Sequence, residues 1–290
     1  MKLSALLGDY PVTRALKAGE LRSPLVALEF ADVATPNAAF KRVVRDGAFD
    51  VAELAIVTYL MAKERGAPLV LLPAVVLARF QHPLVVCSAA RGDLAPRDLA
   101  GRRVGVRSWS VTTGMWIRSI LAEDHGVDAG RVKWVTFEEP HVVGFSDPPN
   151  AERAPAGKDM VAMLLAGELD AAIVAERALP DARLKSLIPD PAGAARAWQA
   201  RHGGIQINHM VVVKEALSRS EPHAVREVWR LLAASRRAAG GPGLNPFGFE
   251  ANRRNLELAI DRTHAQGLIV RRFAVEELFD DVTRTLEDQE

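Results

Sequence analysis

Short runs rich in Val, Ile and Leu alternate along this chain with longer segments of helical period, and that alternation narrows the fold more than any other feature. A run of four to eight aliphatic residues reads as a strand buried on both faces, and the helical segment after it is the crossover that lets the next strand lie parallel. The expected fold class is therefore α/β, with helices layered on mostly parallel sheet. Strands are expected at 3–7, 25–30, 51–54, 69–76, 84–88, 103–106, 132–137, 171–174 and 209–213. Helix ends are legible between them. Thr35-Pro36 opens a helix that Gly47 closes, and Ser220-Glu221-Pro222 opens another whose buried stripe is Val225, Val228, Leu231 and Leu232. Helical patterns also cover 112–125, 159–165 up to Gly167, and 252–266 up to Gly267, whereas 138–157 and the glycine-rich 240–248 read as loops.

Composition removes several classes of function. The 290 residues suffice for one large domain or two ordinary ones. With 37 basic against 36 acidic side chains there is no general pull toward nucleic acid, and no run of 18 apolar residues implies a membrane span. The single cysteine, Cys87, can form no internal disulfide and no cysteine-based zinc site. The apolar run at 3–7 is too short for a signal peptide, so a cytoplasmic location is expected. Neither a Walker-type loop nor a Gly-x-Gly-x-x-Gly stretch is present, and no His-Glu-x-x-His or His-x-His spacing supports a metal centre. No cofactor is expected, a divalent metal being left open, as is a homo-oligomer.

Two stretches carry more organisation than the rest. Asp98-Leu99-Ala100-Gly101-Arg102-Arg103-Val104-Gly105-Val106 and Gly167-Glu168-Leu169-Asp170-Ala171-Ala172-Ile173-Val174 each run a polar helical turn through glycine into a strand. Together they resemble the second lobe of type II periplasmic-binding-protein-like folds. That resemblance implies two lobes, two crossing segments and a cleft between the lobes, with 1–88 plus 209–290 as the first lobe and 89–208 as the second.

Further stretches narrow the resemblance. They are Gly8-Asp9-Tyr10 with Thr13-Arg14, Phe49-Asp50-Val51-Ala52-Glu53-Leu54, Arg79-Phe80-Gln81-His82, Thr112 with Met115-Trp116-Ile117-Arg118, Asn208-His209, and Phe247-Gly248-Phe249-Glu250-Ala251-Asn252-Arg253. Gln266-Gly267-Leu268 and Glu276-Glu277-Leu278-Phe279 continue them. In this order they resemble the 4,5-dihydroxyphthalate decarboxylase family across almost the whole chain. The resemblance implies an aromatic acid decarboxylase whose partner is a small aromatic carboxylate, with neither nucleic acid nor membrane. This chain departs from the family at Gln81, where arginine is common, and at Arg107-Ser108-Trp109, where Pro-Glu-Tyr is common. A non-catalytic binding protein for a small organic anion is the alternative, and another enzyme on the same fold ranks below both.

The residues that could do such chemistry each admit a plainer reading. Arg14 and Arg79 could fork onto a substrate carboxylate or be ordinary surface arginines. Ser110, Thr112 and Thr113 stand at a strand-to-helix junction, where they could hold a carboxylate or merely cap the helix. His82 and His209 each precede an apolar strand on the two expected crossing segments. An imidazole there could protonate carbon or be a buried, backbone-bonded histidine. Glu53 interrupts an apolar segment, as an acid aimed at substrate or as a strand-end carboxylate paired with arginine, and Glu176 poses the same choice. Trp109 could stack on an aromatic ring, and Asn208 stands beside His209. The expected catalytic set is His82, His209 and Glu53, and the expected substrate-binding set is Arg14, Arg79, Trp109, Ser110, Thr112, Thr113, Asn208 and Glu176.

Overall fold

In the computed structural model, which describes residues 1–241 and 243–288, the chain opens with β1 (Lys2–Leu6), α1 (Pro11–Lys17), β2 (Ala27–Phe30), α2 (Phe40–Asp46), β3 (Val51–Ala55), α3 (Ile56–Glu64) and β4 (Leu69–Ala78). A second set follows: β5 (Val85–Ser88), β6 (Arg103–Val106), α4 (Thr112–His125), β7 (Lys133–Thr136), β8 (Ala151–Arg153), α5 (Met160–Leu165), β9 (Ala171–Ile173), β10 (Leu184–Ser186) and α6 (Pro191–His202). The chain then runs through β11 (Ile207–Lys214) into α7 (Glu215–Ser220), α8 (Pro222–Ala238) and α9 (Phe249–Ala265). Pro242, in the glycine-rich stretch read as a loop, lies outside the described residues.

These elements divide into two units, 1–79 with 205–290 and 80–204. The division falls nine residues before the expected 88/89 boundary and four before the expected 208/209 one. Pairing explains both shifts. β5 joins the second unit's sheet by pairing with β9 and β10, which takes 80–88 with it, while β11 already begins at Ile207 and belongs to the first unit.

The first unit is built on a sheet of order β2-β1-β3-β11-β4. β1 runs parallel to β2 and β3, and β11 lies antiparallel between β3 and β4. Val51, Val70, Leu72, Val76, Val211 and Val213 supply the sheet's share of one core, onto which α8 lays Val225, Val228, Leu231 and Leu232. That helical stripe is the one expected from its spacing. Burying each such side chain contributes about 1.5–3 kcal/mol. Gly47, with φ +58°, closes α2 in the left-handed conformation that residues with a Cβ avoid.

The second unit has a six-stranded sheet of order β10-β5-β9-β6-β7-β8, parallel from β9 to β8 and antiparallel at β5 and β10. Its core includes Val86, Val135, Met163, Leu164, Leu169 and Ala172. Trp116 of α4 and Trp198 of α6 are fully buried and meet edge to face with ring centroids 5.9 Å apart. Two of its strands, β8 and β10, fall in segments where none was expected. Among the described residues no helix is long and apolar enough to cross a membrane.

Candidate functional site

The chemistry-bearing residues of the first unit gather where β1 and β3 end. β11 runs antiparallel to β3 with Glu53 opposite Val211 and Ala55 opposite His209. Side chains two apart on a strand share a face, so Glu53 and His209 are diagonal neighbours on one face of the sheet. Ala55 is small, and the two side chains meet. His209 Nδ1 lies 2.8 Å from Glu53 Oε1. Glu53 is wholly buried, whereas the His209 side chain keeps 14% of its surface exposed. The imidazole is therefore the member of the pair that a small molecule can reach. Phe40 packs against it edge to face at 5.1 Å, fixing the ring plane.

Parallel pairing of Leu6 with Ala52 brings the turn after β1 alongside Glu53. There the Gly8 backbone N–H donates to Glu53 Oε2 at 2.5 Å, and the Tyr10 hydroxyl donates to Oε1 at 2.8 Å. Glu53 thus accepts from three groups: a peptide, a phenol and an imidazole. A buried carboxylate needs that much compensation for its lost hydration. Burial pushes the Tyr10 phenol up, the Glu53 charge and its hydrogen bond push it further, and Arg79 opposes them by a smaller amount. The phenol is a hydrogen-bond donor at every pH where the protein works. Arg79, half-buried at the end of β4, is near enough for its charge to act on this cluster. Asn208 is buried next to His209.

Of the expected set, then, Glu53 and His209 come together with Arg79 close by, while Asn208, next to His209 along β11, is buried with its side chain on the alternate face of the strand. Tyr10 and Gly8 complete the cluster without having been expected in it, although Gly8-Asp9-Tyr10 was among the stretches that carry the family resemblance. Arg14, one helical turn from Tyr10 in α1, is 65% exposed and pairs with Asp9 at 3.2 Å.

The remaining candidates belong to the second unit. His82 is fully buried, 6.4 Å from the Phe80 ring, and neither ring nitrogen has a hydrogen-bond partner among the described residues. Burial lowers it from an ordinary 6.5 to about 4, so it is neutral near pH 7 and holds no proton to give. Trp109 is buried, with the Arg118 guanidinium over its ring at 3.8 Å and Trp134 at its edge, so at least one of its faces is already occupied. Ser110 and Thr112 are buried and Thr113 half-buried at the start of α4, whose N-cap is Val111 with no side-chain cap bond. Glu176 is exposed in a short 3₁₀ turn, Glu176–Ala178.

Among the described residues the donor set does not suit a metal. His209 turns Nδ1 toward Glu53, and among the described residues no group of three or more His, Cys, Asp or Glu side chains gathers as ligands would.

Comparison with known proteins bears on the reading of this site. No protein-family model matches the chain. A 4,5-dihydroxyphthalate decarboxylase of Comamonas testosteroni is 26% identical over 96% of both chains. A protein of the same name from Pseudomonas putida is 31% identical over 68% of this chain and 81% of its own. Among solved structures, the periplasmic aliphatic sulphonate binding protein SsuA of Escherichia coli superposes with a TM-score of 0.66 at 13% identity, covering all of this chain and 94% of that one. That likeness assigns the two-lobed periplasmic-binding-protein fold, and at such identity it speaks to the fold alone.

Proposed function

The chain belongs to the 4,5-dihydroxyphthalate decarboxylase family, and from that premise we propose that it removes a carboxyl group from a hydroxylated aromatic acid such as 4,5-dihydroxyphthalate, with His209 as the proton donor. Such a reaction makes it a carbon–carbon lyase. The observation that carries the assignment is the His209–Glu53 contact at 2.8 Å, with the carboxylate sealed and only the imidazole open.

In 4,5-dihydroxyphthalate each carboxyl group stands para to a hydroxyl, whose oxygen can push electron density onto the carboxyl-bearing carbon. His209 Nε2 delivers a proton there, forming the C–H bond and giving a dearomatised intermediate. The C–C bond then breaks, its electron pair restores the ring, carbon dioxide leaves, and a proton from solvent recharges the imidazole. The net reaction takes up one proton. Glu53 accepts from Nδ1–H, which keeps Nε2 turned outward and stabilises the imidazolium, the same division of labour that a carboxylate has toward histidine in hydrolase triads. Arg79 supplies a guanidinium for a carboxylate that is not lost.

The test is release of carbon dioxide from hydroxylated phthalates and benzoates by the purified chain. His209→Ala is expected to lower kcat by about 10²-fold or more, and Glu53→Gln by a similar factor. Turnover that survives His209→Ala unchanged overturns the assignment of the acid. A raised melting temperature with these acids but no product would instead mark a binding protein.

A further inference from the structure

We propose that Tyr10, pinned by Gly8, is a positioning residue that sets how tightly His209 holds the proton it gives away; the inference rests on the reading of His209 as the acid. Two donors share one oxygen of Glu53. Glu53 Oε1 faces both the Tyr10 hydroxyl and His209 Nδ1, each at 2.8 Å, while Oε2 is taken by the Gly8 N–H. Every donor spreads the carboxylate's charge, so the phenol leaves less of it for the imidazolium. An acid that is held less firmly transfers its proton more readily.

The phenol is also placed by packing. Its ring lies directly on Gly8, so close that a Cβ at position 8 would stand 2.5 Å from Cε2 and Cζ and 2.7 Å from the hydroxyl oxygen. No side chain fits there without moving the ring. Thr13 ties the turn at both ends, its hydroxyl donating to the Gly8 carbonyl at 2.6 Å and accepting from the Tyr10 N–H at 3.0 Å. Among the described residues, the charged or titratable groups around the pair include Tyr10 from the turn after β1, Glu53 from β3 and Arg79 from β4, with Asp9 of the same turn paired to Arg14 of α1. Phe40, packed on the imidazole, carries no charge.

The experiment titrates the His209 ring by NMR in the substrate-free chain and in Tyr10→Phe, alongside pH–rate profiles of both. Tyr10→Phe keeps the ring and deletes only the donor. The His209 midpoint is expected to move up by about 0.5 to 1 pH unit, the alkaline limb of kcat/KM to move with it, and kcat at pH 7 to fall about 3- to 10-fold with KM within about twofold. Gly8→Ala, which forces the ring away, should reproduce the shift; if that chain does not fold, Tyr10→Phe decides alone. An unchanged or lowered midpoint in Tyr10→Phe overturns the inference even if turnover depends on His209. A raised midpoint in a chain that turns over no aromatic acid leaves the coupling standing and removes the proposed function instead.

Discussion

His82 makes the second unit sensitive to acid, by an amount that follows from its surroundings. The ring is fully buried in the 3₁₀ turn His82–Leu84, with no hydrogen-bond partner at either nitrogen among the described residues. Asp124 partly offsets the cost of charging it, while His125 and Arg201 add to that cost, and burial dominates all three. Between pH 6.5 and about 4 the unfolded chain binds a proton at this position and the folded chain does not. Stability therefore falls as pH drops through that window and is unaffected above it. The linkage amounts to about 2 kcal/mol at pH 5 and about 3 kcal/mol at pH 4. Replacing His82 with Leu removes the titrating group and leaves an apolar side chain among Phe80 and Trp198. Urea unfolding followed by tryptophan fluorescence suits the test, because Trp109, Trp116, Trp134 and Trp198 lie in the second unit and only Trp229 lies in the first. The wild-type midpoint should fall between pH 7 and 4.5 by more than that of His82→Leu, with the difference growing as pH drops. Parallel curves for the two chains would show that His82 is not buried and neutral in the folded state, and the reasoning would fail.

Two further perturbations probe the packing of each unit. Arg236 and Asp288 pair with side chains only 8% and 10% exposed, and the guanidinium also reaches the Asn245 carbonyl and lies over the Phe247 ring, so Asp288→Ala takes the carboxylate from a buried cation and should cost about 3 kcal/mol in urea unfolding, read from Trp229, which packs on Phe247; a loss under about 1 kcal/mol would refute the pairing. A Cβ on Gly105 of β6 would come within 2.8 Å of Leu169 Cδ1 and 3.0 Å of Met160, so Gly105→Ala should destabilise the second unit by about 1–2 kcal/mol, and a more stable variant would contradict the packing of α5 on the sheet.

What could be read beforehand, and what could not, follows from how local each signal is. The span of α4 was legible because its period is uninterrupted and Gly126 stops it at φ +66°. Glu53 stood out as the one charge in an apolar run. The same run concealed α3, however, because Val51 to Ala62 is buried without a break and the change from strand to helix after Ala55 leaves no mark in a uniformly apolar stretch. Ala151–Arg153 and Leu184–Ser186 are three-residue strands at the sheet's two edges, with no buried alternation to betray them. Tyr10 escaped for a different reason. Its role depends on a ring lying across Gly8 and on a carboxylate 43 residues away, neither of which periodicity encodes. His82 and His209 looked alike as imidazoles preceding apolar strands, and only their surroundings separate them: among the described residues one has no hydrogen-bond partner, while the other has a carboxylate.

The placement of β11 bears on how the chain is made. Residues 51–78 emerge from the ribosome with β3 and β4 already complete, yet the strand that must lie between them is not synthesised until the whole of 80–204 has followed. The second unit can fold during that interval, while the first waits with a gap in its sheet and two hydrophobic edges open to wrong partners. His209 arrives on the closing strand, so nascent or truncated chains carry Glu53 without its imidazole until the sheet is sealed.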